Sequence, residues 1–94
     1  MSEKAGMRFC LYVAGNAPNS VLARRNLDSL LESLAPGSYN LEIVDCMSDP
    51  MRTLADGIVV TPTLRRTEPK PEATVIGTLA DPDNVRHVMG IDHP

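Results

Sequence analysis

From Arg8 to Val13 the chain reads Arg-Phe-Cys-Leu-Tyr-Val, almost continuously apolar and rich in strand-forming side chains. A run of that kind, without alternation, predicts a strand covered on both faces. The period then changes. Between Ser20 and Leu34 the apolar residues fall at Val21, Ala23, Leu27, Leu30, Leu31 and Leu34. The last four follow i, i+3, i+4, i+7, the stripe of an amphipathic helix. Asn16, Asn19 and Ser20 all have the chemistry of an N-cap, and Pro36-Gly37 predicts the stop. Tyr39–Cys46 alternates and then turns apolar, which predicts a second strand. Strand, helix and strand in this order predict a right-handed parallel crossover.

The second half has shorter segments. Asp49-Pro50 opens a short helix through Asp56, stopped by Gly57. Ile58–Leu64 reads as a strand interrupted by Pro62, where a ladder donor is lost. Arg65–Glu72, with two prolines and mixed charge, reads as a loop. Ala73–Leu79 predicts a strand weakened at Gly77, and Asp81-Pro82 opens a last helix with Val85, Val88, Met89 and Ile91 on its apolar side. The order βαβαββα is the minimal thioredoxin-like arrangement, an α/β fold. We expect a flexible N-terminus over 1–7, one domain over 8–91 and a C-terminal tail over 92–94.

Composition narrows the partners. Ninety-four residues make a single small domain, which buries only about 60–65% of its unfolded surface. With Phe9, Tyr12 and Tyr39 as the only aromatics, stacking on nucleic acid has no platform. A net charge of −3 gives no pull toward phosphate backbones or anionic membranes. Two cysteines, no signal peptide and no apolar run of spanning length fit a reducing cytoplasm.

The junction where a thioredoxin-like redox protein keeps Cys-x-x-Cys holds Asn16-Ala17-Pro18-Asn19 here, with no thiol. Cys10 lies early in its strand and Cys46 at the end of the next, too far along for an unstrained bridge. Both read as small apolar residues. Thr61-Pro62-Thr63 makes Pro62 a cis-proline candidate; a trans proline at a strand edge fits the sequence equally. His87 and His93 are six apart with no third ligand in register, and Asp45, Asp49 and Asp56 match no cation loop. Gly15 stands alone rather than in a phosphate loop. The basic pairs Arg24-Arg25 and Arg65-Arg66 read as solvated charge, with Arg24 placed to meet Asp28 one turn on. The ordinary interpretation of each feature is structural. No catalytic residue, metal or cofactor is expected.

The decapeptide Leu11-Tyr-Val-Ala-Gly-Asn-Ala-Pro-Asn-Ser20 resembles a stretch of the KaiB family of circadian clock proteins. Ile43-Val44-Asp45, Val60-Thr-Pro-Thr-Leu64 and Ile76-Gly77-Thr78-Leu79 support the likeness, which covers Arg8 to Ile91. The resemblance implies a thioredoxin-like domain without redox chemistry that is not an enzyme. It implies binding to the N-terminal ATPase ring of a KaiC partner, opposing its phosphorylation, sequestering KaiA where present and displacing a sensor kinase. It also implies a free homotetramer with a rearranged βαββααβ fold and a thioredoxin-like monomer when bound. On this likeness Asn16, Ala17, Pro18, Asn19, Asn40 and Glu42 are expected at the docking surface, and Gly77 and Thr78 in the balance between folds. Three departures from the family pattern stand out: Thr78 where Asp is frequent, Ala73-Thr74 in place of a basic pair, and Glu42 where Lys is common. They imply altered partner electrostatics, as in a system lacking KaiA. A redox protein using Cys10 or Cys46, and a stand-alone sensory domain like the kinase N-terminus, are the alternatives.

Overall fold

The structure, a computed structural model, describes residues 6–91. The expected tail over 92–94, and all but the last two residues of the expected flexible N-terminus, lie outside the described residues.

Seven elements follow the expected order: β1 (Met7–Val13), α1 (Pro18–Leu31), β2 (Tyr39–Asp45), α2 (Pro50–Ala55), β3 (Thr63–Glu68), β4 (Ala73–Ile76) and α3 (Pro82–Met89). The sheet runs β2-β1-β3-β4. β1 lies inside it, parallel to β2 with Leu11 opposite Ile43, and antiparallel to β3 with Leu11 opposite Leu64. Its unbroken apolar run is explained by its two covered faces. Phe9, Leu11 and Val13 join Leu27, Leu30, Leu64, Val85 and Met89 beneath α1 and α3. Cys10 and Tyr12 point the other way, into a small cluster with Val44, Cys46 and Ile58.

Several boundaries differ from the sequence expectation. β1 starts one residue early, at Met7. The N-cap of α1 is Ala17, which makes no side-chain cap bond, rather than Asn16, Asn19 or Ser20. Pro18 takes the first helical position, where its missing N–H costs nothing and its fixed φ suits the helix. Ser20 is thereby inside the helix, and its hydroxyl accepts the Ala14 N–H at 3.0 Å. The helix also stops at Leu31, short of Leu34. There Ser33 Oγ donates to the Leu30 carbonyl at 2.9 Å, and Leu34 N–H bonds back three residues to Leu31, so the last turn tightens before Pro36 is reached.

The largest correction concerns the third strand. Ile58–Thr61 is not strand, and β3 begins at Thr63, directly after the proline that cannot donate to a ladder. It then runs through Arg65 and Arg66, expected in a loop, which pair with Cys10 and Phe9 of β1. Both arginines find acceptors nearby: Arg65 donates to the Asp56 carbonyl at 2.8 Å, and Arg66 to the Met89 and Pro71 carbonyls at 2.6 Å each. A strand can hold such charges when their heads are bonded and their stems lie along the sheet. β4 ends at Ile76 rather than Leu79, because Gly77 turns to φ 111°. Beyond it, Leu79 holds φ 62° while staying buried.

The expectations for α2 and α3 hold closely. Asp49 and Asp81 cap them by accepting the Arg52 and Asn84 N–H groups, each with proline at the first turn. Gly90 closes α3 at φ 73°, and a Cβ there would lie 2.9 Å from Arg66 Nη1.

Leu27, fully buried, and Leu54, 73% exposed, separate core from surface. Leu27→Ala is expected to lower the unfolding free energy by about 2–5 kcal/mol. Leu54→Ala is expected to change it by less than about 0.5 kcal/mol. Urea denaturation followed by circular dichroism checks both.

Candidate functional site

Parallel pairing of β1 with β2 puts the ends of both strands at the same edge of the sheet, with Val13 opposite Asp45. The start of β3 and the end of β4 lie there too, since Tyr12 pairs with Thr63 and Thr63 with Ile76. Four separate chain segments therefore meet at one end. Asn16, Ala17, Pro18 and Asn19 are all exposed there, the first two leading into α1 and the last two in its first turn.

Asp45 organises the loop. Its Oδ1 accepts the Gly15 N–H at 3.0 Å and the Met47 N–H at 2.9 Å. Gly15 sits at φ 54°, where a side chain would be strained. One carboxylate oxygen thus joins the loop after β1 to the loop after β2. The Met47 N–H, followed by those of Gly15 and Ser48 with the Ser48 hydroxyl, holds the Asp45 carboxyl below its usual value.

The same end carries the proline expected to bend the chain. The Thr61–Pro62 peptide is cis, and the Pro62 carbonyl accepts the Gly77 N–H at 2.9 Å. Thr78 is fixed on the other side, its carbonyl accepting from Asn26 of α1 at 2.8 Å. Around these segments Met47 (74% exposed), Val59 (90% exposed), Val60 and Ile76 leave apolar surface in water.

Asn40 and Glu42 stand apart from this end. They are opposite Arg8 and Cys10, five and three residues back, respectively, from the level of Asp45. At a rise of about 3.3 Å per residue they lie roughly 10–16 Å down the strand. Both are exposed on the β2 edge. Glu42, however, is not a free charge: Arg52 Nη1 and Nη2 donate to its two oxygens at 3.0 and 2.9 Å. Arg52 Nε donates to Asp56 Oδ2 at 2.7 Å, and the Tyr12 hydroxyl donates to that same oxygen at 2.7 Å. The Arg65 guanidinium lies 5.7 Å over the Tyr12 ring. Tyr12 first and Arg52 second hold the Asp56 carboxyl low, and the Arg52 bonds do the same for Glu42. Burial, then the bond to Asp56, pushes the Tyr12 phenol up. The only trace of this network in the sequence is the i,i+4 spacing of Arg52 and Asp56.

The remaining candidates resolve individually. Asp49 is a helix cap and Asp56 a network member, so the three aspartates do not converge. Arg65 and Arg66 are spent on internal carbonyls rather than on an acidic partner. Arg24 and Arg25 are exposed on α1, and His87 is exposed on α3; His93 lies outside the described residues. Cys10 is buried and Cys46 half-buried, both as free thiols. Cys46 follows the residue opposite Val13, so roughly 13 Å of strand separates it from the level of Cys10. Burial raises the Cys10 thiol, the reverse of what a thiolate nucleophile needs.

Comparison with known proteins decides the lineage. The family described as the KaiB domain matches residues 10–91. The chain belongs to the KaiB family. A circadian clock oscillator protein KaiB of Acaryochloris marina is 43% identical over 82 residues, 87% of this chain and 77% of that protein. The KaiB of Prochlorococcus marinus is 42% identical over 92 residues, 98% of this chain and 76% of its own length. Among solved structures, the N-terminal domain of Synechococcus elongatus SasA superposes with a TM-score of 0.76 at 16% identity, covering all of this chain and 92% of that one. Chloroplastic thioredoxin z gives 0.75 at 18% identity, covering 93% and 78%. These two likenesses establish the thioredoxin-like fold of this KaiB chain.

The carboxylates set an acid limit. Asp45, Asp56 and Glu42 ionise more readily folded than unfolded. Their contribution to stability is therefore complete above the unfolded values of about 4 and is lost as pH falls through the lower folded values. Urea midpoints measured from neutral pH down to about pH 3 are expected to fall. Asp45→Asn is expected to flatten that fall, since its amide has no proton to gain in this range.

Proposed function

We propose that this KaiB-family chain is a non-catalytic docking regulator in the cytoplasm that binds the N-terminal ATPase ring of a KaiC-type partner and opposes its phosphorylation. The observation that carries the reading is the composition of the sheet end. Where a redox relative needs thiols, this chain presents Asn16, Ala17, Pro18 and Asn19, flanked by the exposed apolar side chains Met47, Val59, Val60 and Ile76. Amides beside uncovered aliphatic surface, held rigid by Asp45, suit protein recognition. The exposed Met51 and Leu54 of α2 extend the apolar surface beyond Met47.

On this reading the free chain is a homotetramer with the alternative βαββααβ fold, and the bound chain is a monomer in the thioredoxin-like arrangement described here. Gly77 and Thr78 then lie at a hinge between the two, where β4 ends and the chain turns toward α3. The likeness to the SasA domain supports competition with a sensor kinase for one ring site. The Glu42–Arg52 pair removes a free charge from the β2 edge, which fits a timing system without a KaiA-type partner. Tight binding of the native chain to a KaiA protein would overturn that last point.

The direct experiment is titration of a KaiC-type hexamer, loaded with ATP or with ADP, against the native chain. A complex in at least one nucleotide state is expected, and none in either state overturns the proposal. Asn16→Ala combined with Asn19→Ala is expected to weaken the complex by about tenfold or more. A second reading, a stand-alone sensory domain, draws on the same SasA likeness. Light scattering separates the two, because such a domain stays monomeric and the regulator assembles as a tetramer.

A further inference from the structure

Helix α2 is inside out. Its aliphatic residues Met51 and Leu54 are 74% and 73% exposed, and none of its residues is buried. Arg52 and Thr53 are half-buried, as is the cap residue Asp56. The polar side thus faces the sheet and the apolar side faces water, the reverse of the usual surface helix. Six residues cannot sustain a helix by propensity alone. With no apolar anchor, the segment is held to the sheet by the bonds on its polar side.

Those bonds converge on one side chain. Among the described residues, Arg52 is the side chain that joins α2 to β2, through both oxygens of Glu42, and it also closes back on Asp56. Tyr12 and Arg65 reach only Asp56, at the end of the helix. Asp49 and the Thr53 carbonyl contribute bonds within the segment that do not by themselves hold it against the sheet, and the Asp49 N–H ties only its start to the Asp45 carbonyl at 2.9 Å. Below the helix lie Cys10, Tyr12 and Val44, an apolar cluster over which Met51 and Leu54 would close if the segment turned over.

We propose that Arg52 is a positioning residue that sets which face of α2 is displayed. Bridging Glu42 and Asp56, its guanidinium holds the polar side down and keeps Met51 and Leu54 outward. When the bridge opens, the helix is released from β2 and its apolar residues are free to turn toward the sheet. Lysine cannot replace it fully, because an ammonium lacks the planar fork that meets Glu42 with two nitrogens and Asp56 with the third. The bridge is partly exposed, so added salt weakens it. Calling the outward face a docking surface rests on the reading above; the orienting role of Arg52 does not.

Amide hydrogen exchange on the free, full-length chain tests the proposal without any partner. Arg52→Gln is expected to speed exchange at Thr53, Asp56, Gly57 and Ile58 by about tenfold, with Leu11 and Tyr12 in β1 unchanged. Arg52→Lys should fall between the two. Raising NaCl from about 0.05 to 0.5 M should speed the same amides in the native chain and leave Arg52→Gln unaffected. If Arg52→Gln loosens β1 equally, Glu42→Gln, which weakens only the link to β2 by removing its charge and one of its two acceptor oxygens, provides the deciding measurement. Native exchange rates over α2 in Glu42→Gln, or no salt response in the native chain, overturn the proposal. A failed hexamer titration would leave these rates untouched, so the two proposals fail separately.

Discussion

Burial of β1 on two unequal faces is the constraint on which the rest depends. Phe9, Leu11 and Val13 are covered by two helices and form the main core. Cys10 and Tyr12 are covered by a thin cluster, by Asp56 at the end of α2 and by the Arg65 guanidinium. A strand buried in this way requires hydrogen-bonding neighbours on both sides, and β2 and β3 supply them. Once β1 is fixed, the loop that follows it must emerge beside the end of β2, where Asp45 meets both loops. The grouping of loops at this end of the sheet therefore follows from a packing requirement in the molecule's centre.

The asymmetry of the two faces explains where charge is found. The helix-covered face is closed mostly by aliphatic side chains, and Arg66, opposite Phe9 on that side, is admitted with its head bonded to the Met89 and Pro71 carbonyls. On the thin face, water is near and polar groups can be paired without full desolvation. Glu42, Arg52, Asp56, Tyr12 and Arg65 all lie on that side. Their arrangement gives α2 an attachment made of directional bonds rather than of area. Attachments of that kind are specific in orientation and contribute little to overall stability.

The sequence made the first half largely readable. An unbroken apolar run, a clean heptad-like stripe and a second strand each carried a strong periodic signal, and the thioredoxin-like order followed. What it could not place were the ends, where single tertiary contacts win. Ser20 looked like a cap and instead served Ala14, and Ser33 ended α1 before Pro36 could. Arg65 and Arg66 looked like loop because their acceptors, on Asp56, Pro71 and Met89, are distant in sequence or are backbone carbonyls, which no pattern reports. The exposed Asn16-Ala17-Pro18-Asn19 stretch was legible as a junction without thiols. Its anchor at Asp45 was not, since a carboxylate that binds backbone N–H groups looks the same in sequence as one in water.

Arg66 and Gly90 have a consequence for the way the C-terminal half can evolve and move. The arginine holds the carbonyl at the end of α3 and the one in the turn between β3 and β4, and it reaches the first only because Gly90 leaves room. Strand, hairpin turn and final helix are thereby tied at a single knot. A displacement of α3 takes the Met89 carbonyl away from Arg66 while leaving the Pro71 carbonyl in place. A change at position 66 is therefore felt in strand, turn and helix at once, and a side chain at position 90 would have to push aside the guanidinium that holds the end of α3.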